Sequence, residues 1–159
     1  MQGKSADNRK NTLYDMRIER KRYLQRLVNS RKNGQIKIIT GVRRCGKSYL
    51  LGVLYRDYLL QDGILPEQII TLELDNDINA RYRNPLELGT YLREKVADTG
   101  TDYYILLDEI QMVESIDNPY LPKESDSKIT FVDVLLGLKS LSNVDVYVTG
   151  SNSKMLSSD

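Results

Sequence analysis

Eight consecutive residues, Gly41-Val42-Arg43-Arg44-Cys45-Gly46-Lys47-Ser48, have the types and spacing to grip a phosphate chain. They match G-x-x-x-x-G-K-[ST], a loop whose backbone N–H groups fold inward around the anion. Gly41 and Gly46 permit the conformation and let the backbone come close. A helix that starts there adds its partial positive charge. Lys47 can reach the outer phosphates, and the Ser48 hydroxyl can sit on Mg²⁺. Arg43 and Arg44 have two readings of equal weight: contact with phosphates or nearby acids, or a place outside the loop facing solvent. Cys45 would have its thiol pKa lowered by a helix N-terminus and adjacent cations, but it reads better as a small filler of the loop.

A second pair supplies acid chemistry. Four apolar residues end at Asp108-Glu109. An aspartate at the tip of a buried strand can hold Mg²⁺ directly or through water. A glutamate beside it can polarise an attacking water as a general base; the plainer alternative is a solvated carboxylate. The spacing of about sixty residues after the phosphate loop gives the pair its weight. A third element, Thr149-Gly150-Ser151-Asn152, offers small polar groups at another strand tip. Ser151 and Asn152 are both candidates to sense a terminal phosphate or orient a water, against the alternative of an ordinary turn.

The elements that must position these residues follow from periodicity. Residues 35–40 form a short β-branched run before the loop, and residues 48–61 have helical spacing after it. Residues 1–12 are polar and expected to be mobile. Residues 13–30 read as an amphipathic helix, or a short extended piece followed by one, with Tyr23, Leu24, Leu27 and Val28 on one face and Arg20, Lys21, Arg22 and Arg26 largely elsewhere. Residues 68–74 form the second strand. A polar loop follows from Asp75, then a helix over 84–97 with Asn84 as N-cap and Pro85 at its first position. The third strand covers 103–107. Residues 114–128 are polar with two prolines and read as an exposed loop. A helix over 129–141 and a strand over 144–148 complete the pattern. Strands alternating with helices predict an α/β fold: a P-loop three-layer αβα sandwich on a mostly parallel sheet, with ligands beyond the carboxyl ends of the strands.

Composition narrows the classes. The chain has 159 residues, no histidine and one cysteine. A histidine-based triad, a zinc site and an internal disulfide are excluded, and the lone cysteine suits a reducing, cytoplasmic setting. No apolar run approaches the roughly 20 residues of a membrane span, and the polar N-terminus does not resemble a secretory signal. Net charge is +1 but uneven: residues 1–34 carry +7 and residues 35–159 carry −6. The basic segment could touch nucleic acid, or be a solvated helix face laid against the acidic body. The division expected is a basic helical segment over 1–34 and a phosphate-loop core over 35–159.

Taken in order, GVRRCGKSYLL, YYILLDEIQ and VYVTGSNSKML resemble the predicted ATPases of the AAA superfamily in bacteria and archaea, which share a G-x-R-R-x-G-K-[ST] loop, a D-E-I-Q segment and a T-G-S-N strand end. The segment 18–27, with its arginine, tyrosine and leucine, fits as well, so the resemblance covers roughly residues 17–157. It implies ATP and Mg²⁺ as ligands. The nucleotide set would be Gly41, Val42, Arg43, Arg44, Cys45, Gly46, Lys47, Ser48 and Tyr49; Ser48 and Asp108 would hold the metal; Glu109, Lys47 and Asn152 would carry catalysis. Gln111 belongs to the family motif without a role that the sequence assigns.

Members of that family continue to a fifth strand, an arginine-bearing region and a C-terminal domain. On this reading the core is incomplete after its fourth strand, with a missing effector domain. A sheet edge open to self-association would follow, and so would slow or absent turnover, since a transition-state arginine can contribute about 10³–10⁵ in rate. Two other functions fit the same residues. One is a non-hydrolysing nucleotide-binding signalling module, against which Glu109 argues. The other is a DNA-associated ATPase using the basic N-terminal segment, whose binding would fall steeply with salt.

Overall fold

The computed structural model describes residues 4–40 and 46–151. Its centre is a four-stranded parallel sheet made of β1 (Lys37–Ile39), β2 (Ile69–Glu73), β3 (Tyr103–Asp108) and β6 (Val144–Thr149), in the order β1-β6-β3-β2. β6 enters between β1 and β3, with Lys37 opposite Tyr147 and Leu107 opposite Val148. The central strands are covered on both faces, which is why β3 and β6 read as near-continuous apolar runs. The outer edge of β1 pairs with no strand among the described residues.

Helices cover the two faces. On one lies α2, the helix that follows the phosphate loop. It opens over Lys47–Tyr49, widens to π geometry over Leu50–Tyr55 and closes as α over Arg56–Gln61. It packs through Leu50, Leu51, Tyr55 and Leu59 against Ile39, Tyr104, Leu106 and Tyr147. Also on this face is α1 (Lys4–Asn29), which adds Leu27. On the other face, α3 (Pro85–Lys95) and α4 (Phe131–Lys139) bring Leu88, Leu92, Phe131, Val134 and Leu138 against Ile70, Leu72, Ile105, Val146 and Val148. The alternation along β3 and β6 decides which residues meet α2: Tyr104, Leu106 and Asp108 on one strand, Asp145, Tyr147 and Thr149 on the other.

The helix starts are chemically specified. The Asn84 side chain accepts from the N–H groups of Leu86 and Glu87 with Pro85 at the first position, and Thr130 and Asp133 form a capping box at α4. Asn143 closes the far end of the sheet, donating to the carbonyls of Val96, Asp98 and Thr101.

Four sequence expectations are corrected. The first helix begins at Lys4 rather than at residue 13; Ala, Lys and Arg in that stretch are good helix formers and no Gly or Pro interrupts them. The loop after β2 contains a 3₁₀ segment over Asp77–Arg83, capped by the Asn76 side chain. The segment expected to be all loop contains a two-stranded antiparallel ribbon, β4 (Ile116–Asp117) with β5 (Lys128–Ile129), closed by a Lys128–Asp117 ion pair. Finally, Arg20 does not lie off the packed face of α1, as developed below.

Candidate functional site

The carboxyl ends of β1, β3 and β6 converge with the start of α2. Residues 41–45 and Asn152 fall outside the described residues, so Gly41, Val42, Arg43, Arg44, Cys45 and Asn152 remain sequence expectations. Gly46 is described, with φ 60° and ψ 58°, a left-handed conformation that favours glycine. It turns the chain into α2. Lys47 and Ser48 then stand on the first turn of that helix.

Lys47 reaches across to the end of β6, where its ammonium donates to the Gly150 carbonyl at 2.8 Å. Asp108, the last residue of β3, is buried. It accepts a hydrogen bond from the Thr149 hydroxyl, and the nearby Ser48 hydroxyl also favours its charged form. Burial pushes its carboxyl above the ordinary aspartate value; the two hydroxyl donors oppose that shift and the neighbouring Glu109 charge adds to it. The phosphate-loop helix and both central strands therefore meet at one carboxylate.

Thr149 has two partners. Its oxygen accepts from the Glu109 backbone N–H at 3.0 Å while its hydroxyl donates to Asp108. It fixes both acidic residues relative to β6. Glu109 has φ 59° and ψ 55°, left-handed and uncommon for a non-glycine residue. The chain turns there out of β3 into the 3₁₀ segment Ile110–Met112. Gln111 on that turn donates from Nε2 to Glu109 Oε2, and its Oε1 accepts from the Ser151 N–H at 3.4 Å. Gln111 thus bridges the acidic turn and the tip of β6.

Tyr49 is half exposed, and the Arg20 guanidinium carbon lies 5.1 Å from its ring centroid. Of the expected site residues, Gly46, Lys47, Ser48, Asp108 and Glu109 are brought to one end of the sheet, Tyr49 stands beside them, and Ser151 joins through Gln111. The sequence reading assigned no site role to Thr149, Gln111 or Arg20 individually. Thr149 had a legible signal only as the polar residue that closes a mostly apolar strand. Gln111 had none beyond its motif.

Among the described residues, no cluster of three or more His, Cys, Asp or Glu forms a self-contained metal cage. A phosphate-bound Mg²⁺ needs none, because water and phosphate oxygens fill most of its octahedron. One hydroxyl and one buried carboxylate near each other, Ser48 and Asp108, fit that demand. No described helix is long and apolar enough to cross a membrane.

The comparisons agree with this geometry. A family model described as an AAA domain matches residues 33–159. An uncharacterized protein of Haemophilus influenzae is 34% identical over 142 residues, which is 89% of this chain and 32% of that protein. The chain thus spans about a third of the length of this curated relative. No solved structure matches. With a match over most of its length and the phosphate-loop lysine, serine and strand-end acids gathered at one sheet edge, the chain belongs to the AAA domain family of the P-loop superfamily.

Proposed function

We propose that this chain is the ATP-binding and hydrolysing core of an AAA-type ATPase. The observation that carries the reading is the Thr149 bridge. One hydroxyl group holds Asp108, through its side chain, and Glu109, through its backbone, on the site where Lys47 and Ser48 open α2.

In this reading Lys47 leaves the Gly150 carbonyl to pair with the outer phosphates. Ser48 and Asp108 would hold Mg²⁺, which would supply charge neutralisation at the phosphates. Glu109 accepts the proton of the attacking water as the oxygen–phosphorus bond forms and the bond to the leaving diphosphate breaks. Gln111 holds the Glu109 carboxylate in place by its amide N–H. Ser151 or Asn152 contacts the terminal phosphate or the water. Tyr49 borders the nucleotide from the first turn of α2. Turnover by this chain alone is slow, because no arginine among the described residues is placed at the terminal-phosphate end of the site; turnover above roughly 1 s⁻¹, ordinary for such enzymes, contradicts this.

The test combines binding and turnover. Mg·ATP is titrated calorimetrically into the protein and into Lys47→Ala. Binding by the native protein that is lost in the variant supports the site. Hydrolysis is then compared with Glu109→Gln, which should keep binding and lose at least roughly 10²-fold in turnover. Equal turnover in both proteins removes Glu109 as the base and leaves a nucleotide-binding module.

A further inference from the structure

The packed stripe of α1 runs through Leu27, Leu24 and Tyr23 and, one turn earlier, arrives at Arg20, in phase with Leu27 seven residues on. A cation on the inward stripe of a helix demands an acceptor. Arg20 lies over the Tyr49 ring and close to Gly46: a methyl group added at Gly46 would stand 3.2 Å from Arg20 Nη2. Yet its Nε is buried with no hydrogen-bond partner among the described residues. The surrounding open cavity, about 460 Å³, is lined by Arg17, Arg20, Lys21, Leu24, Tyr49 and Leu54. It contains three cations, one aromatic ring, two leucines and no acid. The surface around Arg20 is therefore suited to an anion that the described residues lining it do not supply.

We infer that Arg20, carried by α1, is a ligand of the nucleotide's phosphate chain. The inference rests on the reading of Gly46, Lys47 and Ser48 as a nucleotide site and adds a ligand from outside the phosphate-loop core. Lys47 extends from α2 toward Gly150 and the acidic pair, whereas Arg20 approaches on the side of Gly46 and Tyr49. Lys47 thus serves the terminal phosphate, and Arg20 the inner phosphates shared by ATP and ADP. The guanidinium gains an acceptor for the Nε donor that lacks one among the described residues, in a geometry suited to paired phosphate oxygens. Nucleotide then fastens α1 to the core, so occupancy of the site is felt along the helix.

The test measures Mg·ATP and Mg·ADP binding by calorimetry in the native protein, Lys47→Ala, Arg20→Gln, Arg20→Lys and Arg22→Gln, alongside melting temperatures without nucleotide. The expected result is roughly 10-fold or greater weakening of both nucleotides in Arg20→Gln, partial recovery in Arg20→Lys and native affinity in Arg22→Gln, an exposed arginine of the same helix. The nucleotide-free melting temperature of Arg20→Gln should be unchanged or higher, since a buried donor without a partner has been removed. Binding by Arg20→Gln within twofold of native overturns the inference. So does a lowered nucleotide-free melting temperature in Arg20→Gln, which makes the side chain structural. Failure of the native protein to bind, or native-like binding by Lys47→Ala, overturns the nucleotide reading itself and is recognised separately.

Discussion

Two aspartates are buried on the same face of the sheet, under α2, and they are held in opposite ways. Asp145, near the amino end of β6, has a cation in its own chain. It pairs with the Lys37 ammonium, accepts the Lys32 N–H at 2.9 Å and accepts the Tyr147 hydroxyl at 2.6 Å. Lys37 also lies 5.0 Å from the Tyr147 ring centroid. Asp108, at the carboxyl end of β3, has only hydroxyl donors, Thr149 and Ser48, and no cation pairs with it among the described residues. A buried carboxylate with its counter-charge built in is architecture. A buried carboxylate with hydroxyls alone keeps a raised pKa and remains available to an ion from outside. One face of one sheet carries both arrangements, some four residues apart along β6.

Removing Asp145 should have the largest effect on stability. Asp145→Ala leaves the Lys37 ammonium buried without its partner and deprives Tyr147 of its acceptor. Breaking such a pair costs about 3–5 kcal/mol, read as a lower urea midpoint at unchanged slope. Lys37→Met with Asp145→Leu removes both charges together and should recover the part of that loss due to the unpaired ammonium, while the Tyr147 hydroxyl and the Lys32 N–H still lack their acceptor. If the double variant is as unstable as Asp145→Ala, the pair does not behave as a matched buried unit.

Asp108→Asn should act in the reverse direction. The raised pKa means that the folded protein binds this proton more tightly than the unfolded chain. Between the ordinary aspartate value and the folded value, stability therefore falls as pH rises, and above the folded value the full cost is present. Each pKa unit corresponds to about 1.4 kcal/mol. At pH 7 the variant should melt higher than the native protein in the absence of nucleotide, while losing Mg²⁺-dependent turnover. Lowering the pH through the folded pKa toward 4 should close the gap in melting temperature. A variant that melts lower at pH 7 would place Asp108 with Asp145 as a structural carboxylate.

The contrast also separates what the sequence made legible. The strand-loop-helix context of Lys47 and Ser48 and the apolar run before Asp108 are local signals, and the parallel αβα layers followed from strand–helix alternation. Thr149 was visible as a residue but not as a bridge, since its role comes from the register that sets Leu107 opposite Val148. Lys37 and Asp145 look like surface residues in a pattern of alternating polarity; only the entry of β6 beside β1 buries them together. By its charge Arg20 reads as a solvent-facing residue, although it falls in register with Leu27. The ribbon of Ile116 and Ile129 was missed because each strand has two residues and its pairing is not local in sequence. Pairing across distant segments, rather than propensity, decided Thr149, the Lys37–Asp145 pair and the ribbon, whereas Arg20 turned on helix phase.

The smallest expected effect divides the Asp145 network itself. The Tyr55 hydroxyl, at the end of the π-helical stretch of α2, donates to the Tyr147 oxygen, whose own hydroxyl donates to Asp145. Tyr147→Phe strips Asp145 of one donor and leaves the Tyr55 hydroxyl buried without an acceptor, so it should cost about 2 kcal/mol. Tyr55→Phe removes only the outermost donor. Tyr147 keeps its bond to Asp145, and Asp145 keeps Lys37 and the Lys32 N–H, so the cost should be about 1 kcal/mol or less. Neither substitution touches a partner of Asp108, and nucleotide affinity of the folded protein should stay native in both. Unfolding and Mg·ATP titration of the two variants check this together. Equal costs would mean that the hydroxyls contribute through their packing alone. A loss of nucleotide affinity in Tyr55→Phe would mean that the two aspartates communicate through α2, so that the built-in charge pair helps to set the geometry of the open one.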